Sequence, residues 1–175
     1  MKTNRISIIG GSGFLGKSLE RLFLDKKYNF QILDKNPLNL KSHGFIDILN
    51  RESLKILKDT STIIHLAAEH KDNIRPINKY FNVNVTGAEN VCEAAEKFDI
   101  DTIIFTSSVA IYGFAPANTA EDGDINYFNE YGRTKYLAEN ILKKTKGITN
   151  IILRLGIVYG NNPKYSSTID KICKD

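Results

Sequence analysis

The stretch RISIIGGSGFLG, residues 5–16, decides the fold of this chain. RISIIG is a short β-branched run that predicts a strand, and GFLGKSLERLFLDK (13–26) has the apolar spacing of an amphipathic helix. Between them, Gly10, Gly13 and Gly16 permit a tight turn, a close approach by a pyrophosphate, and close helix–strand packing. The free N–H groups and the positive dipole end of a helix N-terminus favour bound phosphates. Although the spacing is G-x-x-G-x-x-G rather than G-x-G-x-x-G, the strand–turn–helix context predicts a dinucleotide-binding site.

Strands and helices keep alternating after this first unit. Apolar patterns predict further strands at 30–34, 44–49, 62–68, 101–108 and 150–156, and helices at 52–58, 75–98 and 128–146. Such alternation predicts a Rossmann-type, doubly wound parallel sheet with strand order 3-2-1-4-5-6. Ligands bind these sheets at the carboxyl ends of the strands, beside the point where the strand order reverses. The long loop at 113–127 is a candidate functional segment, because long irregular loops are uncommon in compact domains.

The length of 175 residues predicts one domain. We assign residues 1–160 to an NAD-binding domain and residues 161–175 to the start of a C-terminal region. Nothing in the chain looks like a subdomain that holds a substrate. We therefore interpret the sequence as truncated, with the C-terminal substrate subdomain missing.

Composition and charge argue against several classes of partner. The net charge is +4, but Lys and Arg are scattered, so we expect no nucleic-acid partner. No apolar run approaches the ~20 residues that span a membrane and no signal peptide precedes the first strand, so we expect a cytoplasmic protein with no membrane partner. Cys92 lies in an apolar helical pattern and His65 in an apolar strand, which predicts core residues. No Cys/His/Asp spacing indicates a metal site.

Two strand ends carry residues suited to the adenosine half of a dinucleotide. Asp34 ends the second strand, where a carboxylate accepts hydrogen bonds from an adenosine ribose and repels a 2′-phosphate. NAD is therefore favoured over NADP, although the neighbouring Lys35 is a cation that partly accommodates such a phosphate. Asp47 and Ile48 end the third strand and offer adenine a polar contact and a wall; the alternative is a solvated Asp.

A second group of residues suits proton transfer. Ser108 leaves the fifth strand at the edge where a nicotinamide would lie, and it either contacts a substrate oxygen or caps the backbone. Tyr131 and Lys135 stand four apart, one turn apart on a helix face, which suits an acid–base device or a plain surface pair. A tyrosine ionised at neutral pH needs its pKa lowered by about 3 units, which Lys135 and a positively charged nicotinamide would jointly supply. We interpret Gly132 as keeping the helix surface open to cofactor or substrate.

The segments GGSGFLG (10–16), HLAA (65–68), NVTGAENV (84–91), FTSSVAIYG (105–113), YGRTKYLAE (131–139) and LRLGIVYG (153–160), together with Asp34, resemble the extended short-chain dehydrogenase/reductase family. Within it the chain looks most like the NAD-dependent epimerase/dehydratase type, such as UDP-galactose 4-epimerase. The resemblance implies catalytic roles for Ser108, Tyr131 and Lys135. It also implies a cofactor site at Gly10, Gly13, Phe14, Leu15, Gly16, Asp34, Lys35, Asp47, Ile48, Leu66, Ala67, Ala68, Tyr131 and Lys135.

The resemblance also implies an activity. We expect an NAD-dependent nucleotide-sugar 4-epimerase, in which Tyr131 takes a proton from a sugar hydroxyl, Ser108 steadies the oxygen, and NAD takes and returns a hydride at that carbon. The alternatives are a one-way reductase or dehydrogenase of the same family, or a non-catalytic dinucleotide-sensing protein. A homodimer is expected through the helices at 75–98 and 128–146.

Two positions depart from the patterns of related enzymes. Val109 and Ala110 follow Ser108, where related 4,6-dehydratases carry an acidic pair, so dehydration is disfavoured. Ile157 stands where family epimerases often carry an Asn that touches the sugar nucleotide.

Overall fold

The computed structural model of the protein describes residues 4–71 and 74–159. Its elements are β1 (Ile6–Ile9), α1 (Phe14–Asp25), β2 (Phe30–Asp34), β3 (His43–Phe45), β4 (Thr62–His65), α2 (Asn78–Phe81), α3 (Gly87–Lys97), β5 (Thr102–Ser108), α4 (Glu130–Lys144) and β6 (Thr149–Leu155). Short 3₁₀ turns cover Ser53–Leu57 and Val109–Tyr112, and a π-helical turn at Asn82–Thr86 joins α2 to α3. Within these described ranges, no helix combines the length and the apolar character needed to cross a bilayer. Residues 161–175, assigned above to a C-terminal region, lie outside the described part.

All six strands are parallel and follow the order β3-β2-β1-β4-β5-β6. This order confirms the predicted Rossmann-type sheet. Along β1 the register pairs Ile9 with Leu33 on one side and with His65 on the other. The strand order reverses between β1 and β4, which is where such sheets open a ligand crevice at their carboxyl ends.

Helices bury both faces of the sheet. Alternate residues of a strand point to opposite faces, so Ile8 packs with Ile32, Ile64 and Phe23 of α1. Its neighbour Ile9 belongs to the larger cluster on the other face, which Val91 and Ala95 of α3 and Ala138 and Leu142 of α4 complete. Two covered faces explain why the strands read as nearly continuous apolar runs.

The helix predicted at 52–58 is a 3₁₀ turn at Ser53–Leu57, and three other elements differ clearly in extent from the sequence prediction. β4 ends at His65 rather than 68, because Leu66 donates one last bond to Ile9 (N···O 2.8 Å) and the chain then turns into the crevice. β3 is His43–Phe45, so it shares only residues 44 and 45 with the region predicted at 44–49, and Asp47 and Ile48 follow the strand instead of ending it. The helix predicted at 75–98 begins at Asn78 and is interrupted by the π-helical turn.

The π-helical turn is tied to the loop after β4 by one side chain. The Asn84 amide accepts from Glu69 N (2.8 Å) and donates to Glu69 O (3.0 Å). Its nitrogen also donates to the Thr134 hydroxyl of α4 (3.0 Å). A single turn of π-helix retains an apolar helical pattern, so the sequence pattern could not separate it from α-helix. Such turns are frequent at functional sites.

Candidate active site

A cavity of about 530 Å³ opens at the carboxyl ends of the strands. Every residue predicted for the site lines it: Gly10, Gly13, Phe14, Leu15, Gly16, Asp34, Lys35, Asp47, Ile48, Leu66, Ala67, Ala68, Ser108, Tyr131 and Lys135. The cavity therefore reaches from the ends of β2 and β3 across the sheet to β5 and α4. Neighbouring strands are about 4.8 Å apart, so β2 and β5 are separated by roughly 14 Å, which suits an extended ligand.

The glycine-rich turn leaves no room for a side chain at Gly10 or at Gly16. Gly10 has φ +79°, and a Cβ there would lie 2.5 Å from the backbone nitrogen of Ala67. A Cβ on Gly16 would lie 2.1 Å from the carbonyl oxygen of Gly11, so α1 approaches the turn as closely as glycine allows.

The first turn of α1 fits an anionic group. Within the described residues, no side chain caps this helix at Gly13, and its first turn contains no acidic residue. The residues that carry its N-terminal N–H groups line the cavity, where a diphosphate would accept from them. The turn and the helix end therefore fit a dinucleotide cofactor.

Asp34 is held in a fixed orientation beside this turn. Its Oδ2 accepts from Ser12 N (3.1 Å) and its Oδ1 from Asn36 N (2.9 Å). Lys35 points elsewhere, with its Nζ 2.9 Å from Oδ2 of Asp47. The hydrogen bond from Lys35 is the main cause that lowers the pKa of Asp47. Lys35, the cation predicted to accommodate a 2′-phosphate, is thus paired with the carboxylate of Asp47.

Ser108 ends β5 and caps the backbone, which is one of the two roles considered above; its contact with a substrate oxygen stays a prediction. Its Oγ accepts from Ala110 N (3.2 Å), which caps the following 3₁₀ turn. It also forms a hydrogen bond with the Tyr131 hydroxyl. The Ser108 hydroxyl still has its proton and a second lone pair, so it is able to donate to Tyr131 or to accept from it.

Lys135 is buried beneath the cavity floor. Its Nζ donates to the carbonyl oxygen of Thr106 (2.6 Å) and lies 4.6 Å from the ring centroid of Phe105, a cation–π distance. Burial lowers the pKa of Lys135 to about 7, and the negative charge of Glu139 opposes that change. The lysine is therefore poised to exchange a proton near neutral pH.

In the chain without a cofactor the pKa of Tyr131 is raised, and the joint lowering by Lys135 and a bound nicotinamide stays a prediction. Burial raises the pKa of Tyr131, and only the hydrogen bond with Ser108 acts against it. The Lys135 ammonium lies 6.0 Å from the tyrosine ring centroid and donates to Thr106. Desolvation of a phenolate thus outweighs the distant cation.

The interpretation of Gly132 is also corrected. A Cβ at this position would lie 2.4 Å from the carbonyl oxygen of Ala110 and 3.1 Å from Cβ of Tyr127. Gly132 therefore lets α4 pack directly against the 3₁₀ turn that follows Ser108, and it does not line the cavity.

The two core predictions agree with the structure. His65 is buried, and burial together with the charge of Lys135 lowers its pKa to about 3, so it stays neutral. Cys92 is buried in α3, and burial raises its pKa to about 11. Within residues 4–71 and 74–159, no three His, Cys, Asp or Glu side chains gather as a metal site.

Several cavity residues were missed by the sequence analysis. They are Ile9, Ile46, Leu49, His70, Val83, Thr106, Ser107, Leu155, Gly156 and Val158. The rule that ligands bind at the carboxyl ends of strands would have found Leu155, which ends β6, and Gly156, which follows it. Val83 belongs to the π-helical turn and carried no signal. Ile157 is 74% exposed and is absent from the lining, although its neighbours Gly156 and Val158 are present.

Comparison with known proteins adds named relatives. N-acetyl-alpha-D-glucosaminyl-diphospho-ditrans,octacis-undecaprenol 4-epimerase of Escherichia coli O157:H7 is 38% identical over 81% of this chain and 43% of that enzyme. A putative UDP-glucose 4-epimerase of Methanocaldococcus jannaschii is 34% identical over 97% of this chain and 63% of that protein. The chain thus spans about half the length of the curated relatives it matches.

The structural similarity agrees with these relatives. The crystal structure of UDP-glucose 4-epimerase from Brucella ovis in complex with NAD superposes with a TM-score of 0.79 at 27% identity, over 87% of this chain and 51% of that one. A sequence profile of the NAD dependent epimerase/dehydratase family matches residues 6–174. This chain belongs to the NAD dependent epimerase/dehydratase family.

Proposed function

We propose that the chain is the NAD-binding part of a nucleotide-sugar 4-epimerase. The observation that carries the proposal is the convergence of Ser108, Tyr131 and Lys135 on the same cavity as the glycine-rich turn and Asp34. A dinucleotide and a proton-transfer group would therefore meet at one sheet edge. The 4-epimerases among the relatives support the reaction, and the UDP-glucose 4-epimerases support the class of substrate.

NAD would be held by the residues that line the cavity. The N-terminus of α1, reached through Gly13 and Gly16, would hold the diphosphate. Asp34 would accept from the adenosine ribose, and Ile48 would form a wall for the adenine. Lys135 would contact the cofactor through the ammonium hydrogens that Thr106 leaves available.

When bound, NAD supplies a positive charge and takes up and returns the hydride at the sugar carbon. Tyr131 would accept the proton from the sugar hydroxyl at that carbon and later return it. Ser108 would steady the reacting oxygen and donate to the tyrosine oxygen, which stabilises the phenolate. Lys135, one helical turn from Tyr131 on α4, would keep its own ammonium proton.

The same residues distinguish the alternatives. A dinucleotide sensor needs no proton relay, so the Ser108–Tyr131 hydrogen bond favours an enzyme over a sensor. Val109 and Ala110 have no carboxylate, so neither supplies the acid–base chemistry of a dehydratase. A one-way reductase uses the same residues and stays the second candidate.

The test measures redox balance in the full-length gene product with UDP-glucose and UDP-galactose. An epimerase interconverts the two sugars while absorbance at 340 nm shows no net accumulation of NADH. A steady rise of NADH with loss of sugar substrate favours the one-way enzyme. NAD binding without any turnover of either substrate favours the sensor.

We also propose that the protein is a homodimer that pairs α2–α3 and α4 across a two-fold axis. Ile77, which precedes α2, and Phe81, which ends it, are 53% and 40% exposed. Pairing would bury them in a four-helix contact. A cytoplasmic location stays a prediction from the sequence.

A further inference from the structure

A fully buried carboxylate lies directly behind the proposed catalytic residues and has no role in the reaction described above. Glu139 is on α4, one turn after Lys135, and its side chain is 0% exposed. Its Oε1 accepts from the Ser107 hydroxyl (2.6 Å) and from Nε of Arg154 (3.0 Å), and its Oε2 accepts from Nη2 of Arg154 (2.8 Å). Lys143 approaches Oε2 to 3.6 Å from the solvent side.

This arrangement keeps Glu139 ionised despite its burial. Burial alone would raise the pKa of Glu139, but the hydrogen bonds from Arg154 and Ser107 outweigh it, and the pKa is lowered. Arg154 is correspondingly locked in the charged form. The bidentate geometry gives the pair a fixed orientation.

Arg154 extends from this pair to the long loop at 113–127. Its third nitrogen, Nη1, donates to the carbonyl oxygen of Glu121 (2.5 Å) and to the hydroxyl of Tyr112. The Tyr112 hydroxyl in turn donates to the same Glu121 carbonyl (3.2 Å). The middle of the loop is thereby fixed to β6 and, through Glu139, to α4.

The two ends of the same loop lead to the catalytic residues. The loop begins after the 3₁₀ turn that follows Ser108, and Asn126 N near its end donates back to Ile111 O (3.0 Å). Asn129 then caps α4 by accepting from Gly132 N (2.8 Å), one turn from Tyr131. A shift of the loop would therefore change the position of Ser108 relative to Tyr131.

We propose that Glu139 and Arg154 are positioning residues, forming a latch that holds the 113–127 loop and thereby aligns Ser108 with Tyr131. The positioning part of this proposal rests on the proposed function. The latch joins three elements that the reaction needs together: β5 through Ser107, α4 through Glu139, and the loop through the Glu121 carbonyl. The buried charges are matched within the group, which explains how the carboxylate is tolerated.

Arg154→Lys is the sharpest variant. The ammonium keeps the charge that Glu139 needs, but it lacks the planar fork that donates to Glu139 and Glu121 at once. Glu139→Gln is the second variant, since the amide keeps the shape and an acceptor for Ser107 but weakens the hold on Arg154. Arg133→Lys is the matched control, because Arg133 forms a similar bidentate pair with Glu130 on the outside of the same helix.

The first measurement is hydrogen exchange on this chain, read residue by residue. In Arg154→Lys, amides 114–126 should exchange about tenfold faster, since local opening becomes easier, while amides of β1 and β4 keep their protection. NAD affinity should stay within about twofold of wild type. Unchanged exchange in the loop of both latch variants would overturn the proposal.

The second measurement is turnover by the full-length gene product. Misplacement of catalytic groups by about 1 Å lowers the rate on the order of 100-fold, so kcat should fall by about 10- to 100-fold with a much smaller change in KM. Replacement of a residue that only stabilises the fold would lower the melting temperature without this selective loss of kcat over KM. Normal kcat in Arg154→Lys, with the loop exchanging faster, also overturns the positioning role.

Failure of the proposed function is distinguishable from failure of the latch. If the wild-type protein epimerises no sugar nucleotide, the proposed function fails, and the exchange rates of the loop still decide whether the latch exists. The control Arg133→Lys should match wild type in both measurements; a comparable loss there would show that an Arg→Lys change in any bidentate pair with a glutamate of α4 has the effect, which contradicts the proposal.

Discussion

Lys135 shows how much the surroundings of one residue alter its chemistry. From the sequence it is a cation beside a tyrosine, but in the fold its ammonium is buried against Phe105 and the Thr106 carbonyl. Burial lowers its pKa to about 7, while the carboxylate of Glu139 limits that shift. The residue therefore changes charge near neutral pH, where it was expected to be a fixed cation.

This pKa makes the stability of the chain depend on pH in a specific direction. Between about 7 and the unfolded value of 10.5, the unfolded chain binds more protons at Lys135 than the folded one. The free energy of unfolding should therefore rise with pH in this window, by up to about 1.4 kcal/mol per unit from this group. Lys135→Met should flatten that slope between pH 7.5 and 9, measured by urea unfolding.

The control for this measurement is Lys144→Met, at an exposed position at the end of the same helix. It should leave the slope as in wild type. Between pH 7.5 and 9 the buried Cys92, with its pKa raised to about 11, acts in the opposite direction because the folded state retains its proton. An unchanged slope in Lys135→Met would show that Lys135 is not the titrating group.

Cofactor preference is decided at the adenosine end. Asp34 is expected to repel a 2′-phosphate, and Asp47 holds the neighbouring cation, Lys35, at 2.9 Å. NAD should bind at least about tenfold tighter than NADP, a difference of about 1.4 kcal/mol. Asp47→Asn should release Lys35 and raise NADP affinity relative to NAD by about three- to tenfold, measured by titration calorimetry.

Lys35→Ala in the Asp47→Asn background supplies the control. The ratio of the two affinities is compared, because Asp47 also lines the adenine end and its replacement affects both cofactors. If the double variant loses the gain in NADP affinity relative to NAD, that gain is assigned to Lys35. Equal affinity of the wild-type chain for NAD and NADP would contradict the role of Asp34.

At the scale of elements, the close contact between α4 and the 3₁₀ turn at 109–112 is what brings Tyr131 to Ser108. Asn129 caps α4, and Glu130 lies in its first turn, where an acidic residue favours the helix dipole. Gly132 then admits the Ala110 carbonyl to the helix surface. The relation between the two elements that carry the proposed catalytic residues depends on this contact.

Gly132→Ala should therefore destabilise the fold, although alanine has the higher helix propensity. Propensity alone predicts a gain of about 1 kcal/mol, but the new Cβ meets the Ala110 oxygen at 2.4 Å and backbone must move. Overpacking of this kind costs about 1–3 kcal/mol, so we expect a net loss of about 1 kcal/mol by urea unfolding. Lys144→Ala, on the exposed end of α4, should change stability by less than about 0.5 kcal/mol; a stabilised Gly132→Ala would contradict the contact.

The sequence predicts the elements better than the contacts between them. Alternating apolar runs and the glycine spacing determine the parallel sheet and its crevice, because these patterns depend on local chain chemistry. The π-helical turn at 82–86 was not predicted, because its residues still present a helical apolar face. The sequence also did not predict the role of Gly132, because it depends on the approach of the Ala110 backbone, which has no local signature. It did not predict the pairing of Glu139 with Arg154, because the two residues lie on different elements of the chain.

At the scale of the whole molecule, the exposed apolar residues are distributed over several surfaces. Ile77 and Phe81 lie at the proposed dimer contact, while Leu24 is 60% exposed on α1. The outward positions of α3 carry Glu89 and Glu93, so the apolar part of any dimer contact would centre on α2 and on the neighbouring α4.

Phe81→Glu should weaken the dimer. Two carboxylates would face each other or an apolar surface across the two-fold axis, so the protein should sediment as a monomer at concentrations where wild type is dimeric. The measurement is sedimentation velocity from 1 to 100 μM, with Leu24→Glu on α1 as the matched control. A wild-type protein that stays monomeric over this range, or equal effects of both variants, would contradict the assigned contact.

The central claim is that Tyr131, aligned by Ser108 and Lys135, transfers the proton in an NAD-dependent reaction. Tyr131→Phe tests it most directly, because the ring that lines the cavity is kept and only the ionisable oxygen is lost. NAD is titrated into this chain and turnover of a nucleotide sugar is followed in the full-length gene product. We predict NAD affinity within about twofold of wild type and turnover reduced by at least about 100-fold. Near-normal turnover in Tyr131→Phe would contradict the account.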